Sequence, residues 1–191
     1  DRIVVEGAFK IDSEQQIRAN TSMMSPDRDI SERQAAGMVH TDLSAENMQS
    51  VEALLKACLE ISEKLAADDF NAAKNAAMKA HELLPELKKT SAESLSAVAD
   101  KLMPILMKMA AGKDIKAARE ELLPLTQVLK DLLAMVDGKL SFAVQENFCP
   151  MAFDNKGAAW LQTASELANP YFGQMMLKCG SSTKIWNKEI K

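Results

Sequence analysis

The chain has 191 residues, 47% hydrophobic and 26% charged, enough for one sizeable domain plus an appendage. Its net charge is −4 and its pI about 5.3, with no basic cluster interleaved with aromatics, which argues against nucleic-acid binding. No apolar run approaches the ~20 residues needed to span a membrane as a helix, so no transmembrane segment is expected.

Residues 1–24 open directly into a strand-like run, Ile3-Val4-Val5, without an initiator Met. Ala8-Phe9 continues it past Gly7, and Asp12 or Ser13 then offers a helix cap. So short a piece cannot bury a core alone, and the expectation is the torn end of a domain, in a fragment or a processed product. Residues 25–42 are low in hydrophobic density and without periodicity, as expected of a linker.

Residues 43–137 predict four helices. The first carries Val51, Leu54, Leu55, Cys58, Ser62 and Leu65 at helical spacing. The second follows the capping pair Asp68-Asp69 and buries Phe70, Ala73, Ala77, Ala80, His81 and Leu84, an alanine-rich face that a neighbour can approach closely. Thr90-Ser91-Ala92-Glu93 has the form of a capping box for the third, which presents Leu95, Val98, Leu102, Ile105 and Met109. Asp114 caps the fourth, with its stripe from Ile115 to Val136, and Gly138 closes it. Pro104 and Pro124 are expected to kink or restart their helices. Short connections make neighbouring helices antiparallel.

Residues 138–191 change character. Leu140, Phe142 and Val144 alternate as a strand, with Thr183–Asn187 as its partner, and a short helix is expected around Ala158–Leu161. The fold expected is mainly α: an up-down antiparallel four-helix bundle (43–137) with a small C-terminal β/turn-rich segment (138–191) folded across one end.

That segment also holds the chemistry. Cys149-Pro150-Met151 and Met175-Met176, followed by Cys179, collect two thiols and three thioethers in turn-rich sequence. Methionine is abundant overall, at 12 residues, for which adaptable core filling is one account and thioether ligation another. A disulfide between Cys149 and Cys179 would close a loop of about 30 residues, worth roughly 3–4 kcal/mol. The same sulfurs, with Met151, Met175 and Met176, suit a soft monovalent ion, Cu(I) or Ag(I). Both alternatives stand on the residues alone. Cys58 belongs to an apolar stripe and is expected to be a buried, inert thiol. His81 is by default a hydrogen-bonded core histidine, and a ligand only if its helix meets the Cys-Pro-Met turn. Trp160, Tyr171 and Phe172 are the expected small core beneath the turns. No phosphate loop, nucleophile elbow or His-Glu-x-x-His motif is present, so catalysis is not expected.

Two stretches carry a family resemblance. Gly7-Ala8-Phe9-Lys10-Ile11-Asp12-Ser13-Glu14 resembles the end of the membrane-proximal domain in periplasmic adaptors (membrane-fusion proteins) of copper/silver-type heavy-metal RND efflux pumps. Residues 43–191 resemble a helical domain appended to such adaptors or occurring alone in bacterial secreted proteins. The matching residues are Cys149 to Ala152, Gly157, Trp160-Leu161, Asn169 to Gly173, Met176 and Cys179-Gly180. The resemblance implies a periplasmic location and transition-metal efflux, with the RND pump and outer-membrane channel components as partners. It implies no ligand set.

Overall fold

The computed structural model describes residues 43–90, 92–163 and 165–187. The unit expected at 1–24 and the linker expected at 25–42 lie outside the described residues.

Four long helices pack in sequence: α1 (Ala45–Ala66), α2 (Phe70–Lys88), α3 (Glu93–Ala111) and α4 (Ile115–Val136). Their starts are set locally. Ser44 accepts from the Asn47 N–H, Asp69 from Ala72 at 2.9 Å and Asp114 from Ala117 at 2.8 Å, each cap worth about 1 kcal/mol. The expected box at α3 does not form: Ala92 is the cap residue without a side-chain bond, and Thr90 instead donates its hydroxyl to the Leu87 carbonyl at the end of α2. Gly138, at φ +78, closes α4 as expected. The helices continue through Pro85, Pro104 and Pro124, and all three proline rings are exposed. Neither Pro104 nor Pro124 restarts its helix.

Most of the expected apolar stripes form the core, with Phe70, Ile105 and Ile115 half-buried against it and His81, expected buried, also half-buried. Val51, Leu54, Leu55, Leu65, Leu84, Leu95, Leu102, Leu122, Leu125, Leu129, Leu132 and Val136 are all buried. Ala73, Ala76, Ala77 and Ala80 give α2 the close-packed face read from the sequence. Lys74 reaching the Gly112 carbonyl and Lys88 paired with Asp100 show α2 and α3 running antiparallel.

The C-terminal segment forms a three-stranded antiparallel sheet of order β2-β1-β3, from β1 (Val144–Cys149), β2 (Ala158–Thr163) and β3 (Ser181–Trp186). The partner strand at the C-terminal end is therefore as expected, but two readings change. The first strand starts at Val144, with Leu140 and Phe142 before it. The stretch 158–161 is strand, not helix. A run this short carries no decisive period, and pairing decides it: Ala158 lies opposite Cys149 and Trp160 opposite Asn147. The chain makes this return through Phe153, Asp154 and Asn155, all at positive φ, followed by Gly157 at φ +79. Asp and Asn tolerate that region best; Phe153 is the costly member. Its ring stacks edge-on to Tyr171, with centroids 5.3 Å apart.

The segment is anchored along α1 and α4. Glu52, near the start of α1, accepts from both the backbone N–H and the hydroxyl of Ser141. Glu146 of β1 pairs with Lys130 of α4 at 2.6 Å and accepts from the Trp186 indole. Beyond the end of α1, Asp68 accepts from the Gln174 N–H. Contacts from Glu52 to beyond Ala66 cover roughly 21 Å of α1, so the segment lies along this flank and not only across one end.

Candidate functional site

The thiol pair is built from two ends of the C-terminal segment. β1 delivers Cys149, wholly buried, as its last residue. A turn closed by the Cys179 N–H donating to the Met176 carbonyl delivers Cys179, half-buried. The two sulfurs stand 3.4 Å apart as free thiols in hydrogen-bonding contact.

Three features hold them there. Asn169, fully buried, donates from Nδ2 to the Cys179 carbonyl at 2.7 Å and accepts from the Tyr171 and Phe172 N–H groups. One side chain thereby ties the Asn-Pro-Tyr-Phe turn to the cysteine turn. Gly180 follows Cys179 at φ +130, and a Cβ there would come within 2.8 Å of both the Phe148 carbonyl and the Trp160 ring. Only glycine lets this backbone approach β1 so closely. Trp160 and Tyr171 then pack edge to face at 6.2 Å, the small aromatic core expected.

The electrostatics favour a protonated Cys179 thiol. The hydrogen bond with Cys149 is the first cause raising the Cys179 pKa, with burial adding to it. Burial likewise raises the Tyr171 hydroxyl well above its usual range, and the neighbouring Cys149 adds to the shift. That hydroxyl donates to the Ala159 carbonyl. Asn147, two positions before Cys149 and on the same strand face, has a buried Nδ2 with no hydrogen-bond partner among the described residues. Cys58 lies inside α1, its pKa pushed up to about 12 by burial, in accord with an inert thiol.

The methionines divide. Met176 shares the turn of Cys179 and is half-buried. Met151, 46% exposed, lines a cleft of about 660 Å³ with Arg119, Phe153, Tyr171 and Phe172, whose walls include neither cysteine. Met175 is 80% exposed. His81 faces a separate cleft between α2 and α3 and does not meet the Cys-Pro-Met turn there. Among the described residues, no group of three or more His, Cys, Asp or Glu side chains is arranged to hold a metal ion.

One further support comes from α4. Arg119 of α4 donates to the Pro170 carbonyl at 2.6 Å, to the Leu65 carbonyl at 3.0 Å and to Asp68 at 2.6 Å. Asp68, in the left-handed region, completes the tie by accepting from Gln174. Asn169 stands among the residues that carry the family resemblance; nothing in the local sequence around Arg119 points to its role.

Among the described residues no helix is long and apolar enough to cross a membrane. No protein-family model matches the chain, and comparisons with curated proteins and with solved structures likewise give no match.

Proposed function

We propose that this chain is a periplasmic, non-enzymatic accessory part of a heavy-metal efflux system, which captures Cu(I) or Ag(I) at Cys149 and Cys179 and hands it to the pump. The domain is read as an up-down four-helix bundle whose flank carries the sulfur-bearing strands. The observation behind the proposal is the thiol pair: residues 30 apart in sequence with sulfurs at 3.4 Å, one buried and one accessible. For a metal–sulfur bond of ~2.3 Å, two ligating sulfurs stand roughly 3.8–4.6 Å apart. The pair need only part by about 0.4–1.2 Å to take an ion. Met176, in the turn of Cys179, is the favoured third donor, with Met151 after it; Met175 is the most solvent-exposed of the three.

A second reading, a disulfide-stapled interaction module that assists pump assembly and takes no metal, has its own support. Ligation requires thiolates, whereas the hydrogen bond between the thiols raises the Cys179 pKa. In an oxidising compartment so close a pair would close to a disulfide.

Anaerobic competition against a Cu(I) chelator, with reductant, separates the two. Reduced wild-type protein is expected to withdraw copper, Cys149→Ser with Cys179→Ser to lose that capacity, and Met151→Leu with Met176→Leu to weaken it. If wild type takes no more copper than the double-serine variant, the stapled module replaces the metal reading.

A further inference from the structure

Away from the thiols, a cleft of about 340 Å³ opens between α2 and α3. Met78 and His81 line it from α2, and Met107 and Ala110 from α3, beside the buried Leu106. Met78 and His81 are three residues apart, so they neighbour each other on one helix face, with Cβ atoms about 5–6 Å apart. Met107 comes from the facing helix, held in antiparallel register by the Lys74 and Lys88 contacts.

A single exposed methionine is ordinary surface. Here Met78 is 51% and Met107 56% exposed, and both line the cleft that holds the half-buried imidazole of His81. That imidazole makes no hydrogen bond among the described residues, so neither ring nitrogen is committed to a partner among them. Two thioethers and an imidazole are a poor set for Mg²⁺ or Ca²⁺, which take oxygen, and a good one for a soft monovalent ion. Thioethers need no deprotonation, so the set is not disabled by oxidation of the cysteines or by thiol protonation.

We infer that Met78, His81 and Met107 form a second soft-metal site, which takes Cu(I) or Ag(I) through two thioether sulfurs and one imidazole nitrogen, independently of the Cys149/Cys179 pair. Its walls already present the donors to solvent, so an ion enters without opening the core. The inference does not rest on the proposed role of the thiols.

The test uses the full chain carrying Cys149→Ser and Cys179→Ser, titrated with Ag(I), which needs no reductant. The readout is the methionine ε-methyl and histidine ring resonances by NMR. The expected result is that the Met78 and Met107 methyls and the His81 ring shift together and saturate at a single equivalent. His81→Gln, and separately Met78→Leu with Met107→Leu, abolish that saturable shift while the helical circular dichroism is unchanged. Methyls that do not move, or binding that survives both substitutions, overturn the inference. Because Cys149 and Cys179 are absent throughout and Cys58 is buried, failure here is distinct from failure of Cu(I) capture in the wild-type competition.

Discussion

The Nδ2 of Asn169, itself fully buried, donates to the carbonyl oxygen of the half-buried Cys179 across 2.7 Å. The position of Cys179 therefore does not depend on its sulfur being bonded to anything. The geometry of the thiol pair is held by an amide, and the sulfurs remain available for chemistry.

Asn169→Ala tests this. It removes the side-chain amide and strands the Cys179 carbonyl and the Tyr171 and Phe172 N–H groups. A buried polar group left unpaired costs about 1–3 kcal/mol, so the expected loss is roughly 2–4 kcal/mol in urea unfolding. The variant is also expected to alkylate faster at Cys179, because its turn is no longer tied to the Asn-Pro turn. Unchanged stability and labelling would refute the amide's role.

Gly180→Ala places a methyl group within 2.8 Å of the Phe148 carbonyl and the Trp160 ring, at a φ that L-residues avoid. Overpacking of this kind costs about 1–3 kcal/mol. The turn must move away from β1, so oxidation of Cys149 and Cys179 to a disulfide is expected to slow, measured by mass spectrometry after mild oxidant. A rate equal to wild type would show that the close approach is not needed.

The three thiols are expected to alkylate in order of access. Cys179 reacts first in the folded protein, Cys149 later, and Cys58 only on unfolding, given full burial and a pKa near 12. Since the Cys149 thiol is the first cause of the raised Cys179 pKa, Cys149→Ala is expected to accelerate labelling of Cys179 near neutral pH. The rate is read by iodoacetamide mass spectrometry, and slower labelling in that variant would contradict the assignment.

Asp68 has its pKa lowered from 3.8, first by the Gln174 N–H and then by Arg119. A depressed folded pKa contributes stability that is complete above the unfolded value and is lost as pH falls through the folded one. Unfolding midpoints of wild type are therefore expected to drop below pH 3.8, and Asp68→Asn to flatten that drop. Equal acid sensitivity in both would place the acid-labile group elsewhere; Glu52 is the alternative, where burial is outweighed by the Ser141 bonds and Lys56 to leave a lowered pKa.

The sequence by itself determined the four helices. Their stripes, the Asp69 and Asp114 caps and the Gly138 stop are local features, each expressed within a turn or two of the chain. It also determined that Cys58 would be buried, because its neighbours at helical spacing are Leu54, Leu55, Ser62 and Leu65. The tertiary structure decided the rest. Ala158–Leu161 became strand because β1 was there to pair with it, and Thr90 turned back to Leu87 where a capping box was expected. His81 went to the α2–α3 cleft instead of the cysteine turn, a choice made by which helices face one another. The 3.4 Å between Cys149 and Cys179 is supported by Asn169, Gly180 and the Arg119–Asp68 tie, contacts that span 10 to 106 residues of chain. Such distances are set by non-local packing, which no local pattern of residues encodes.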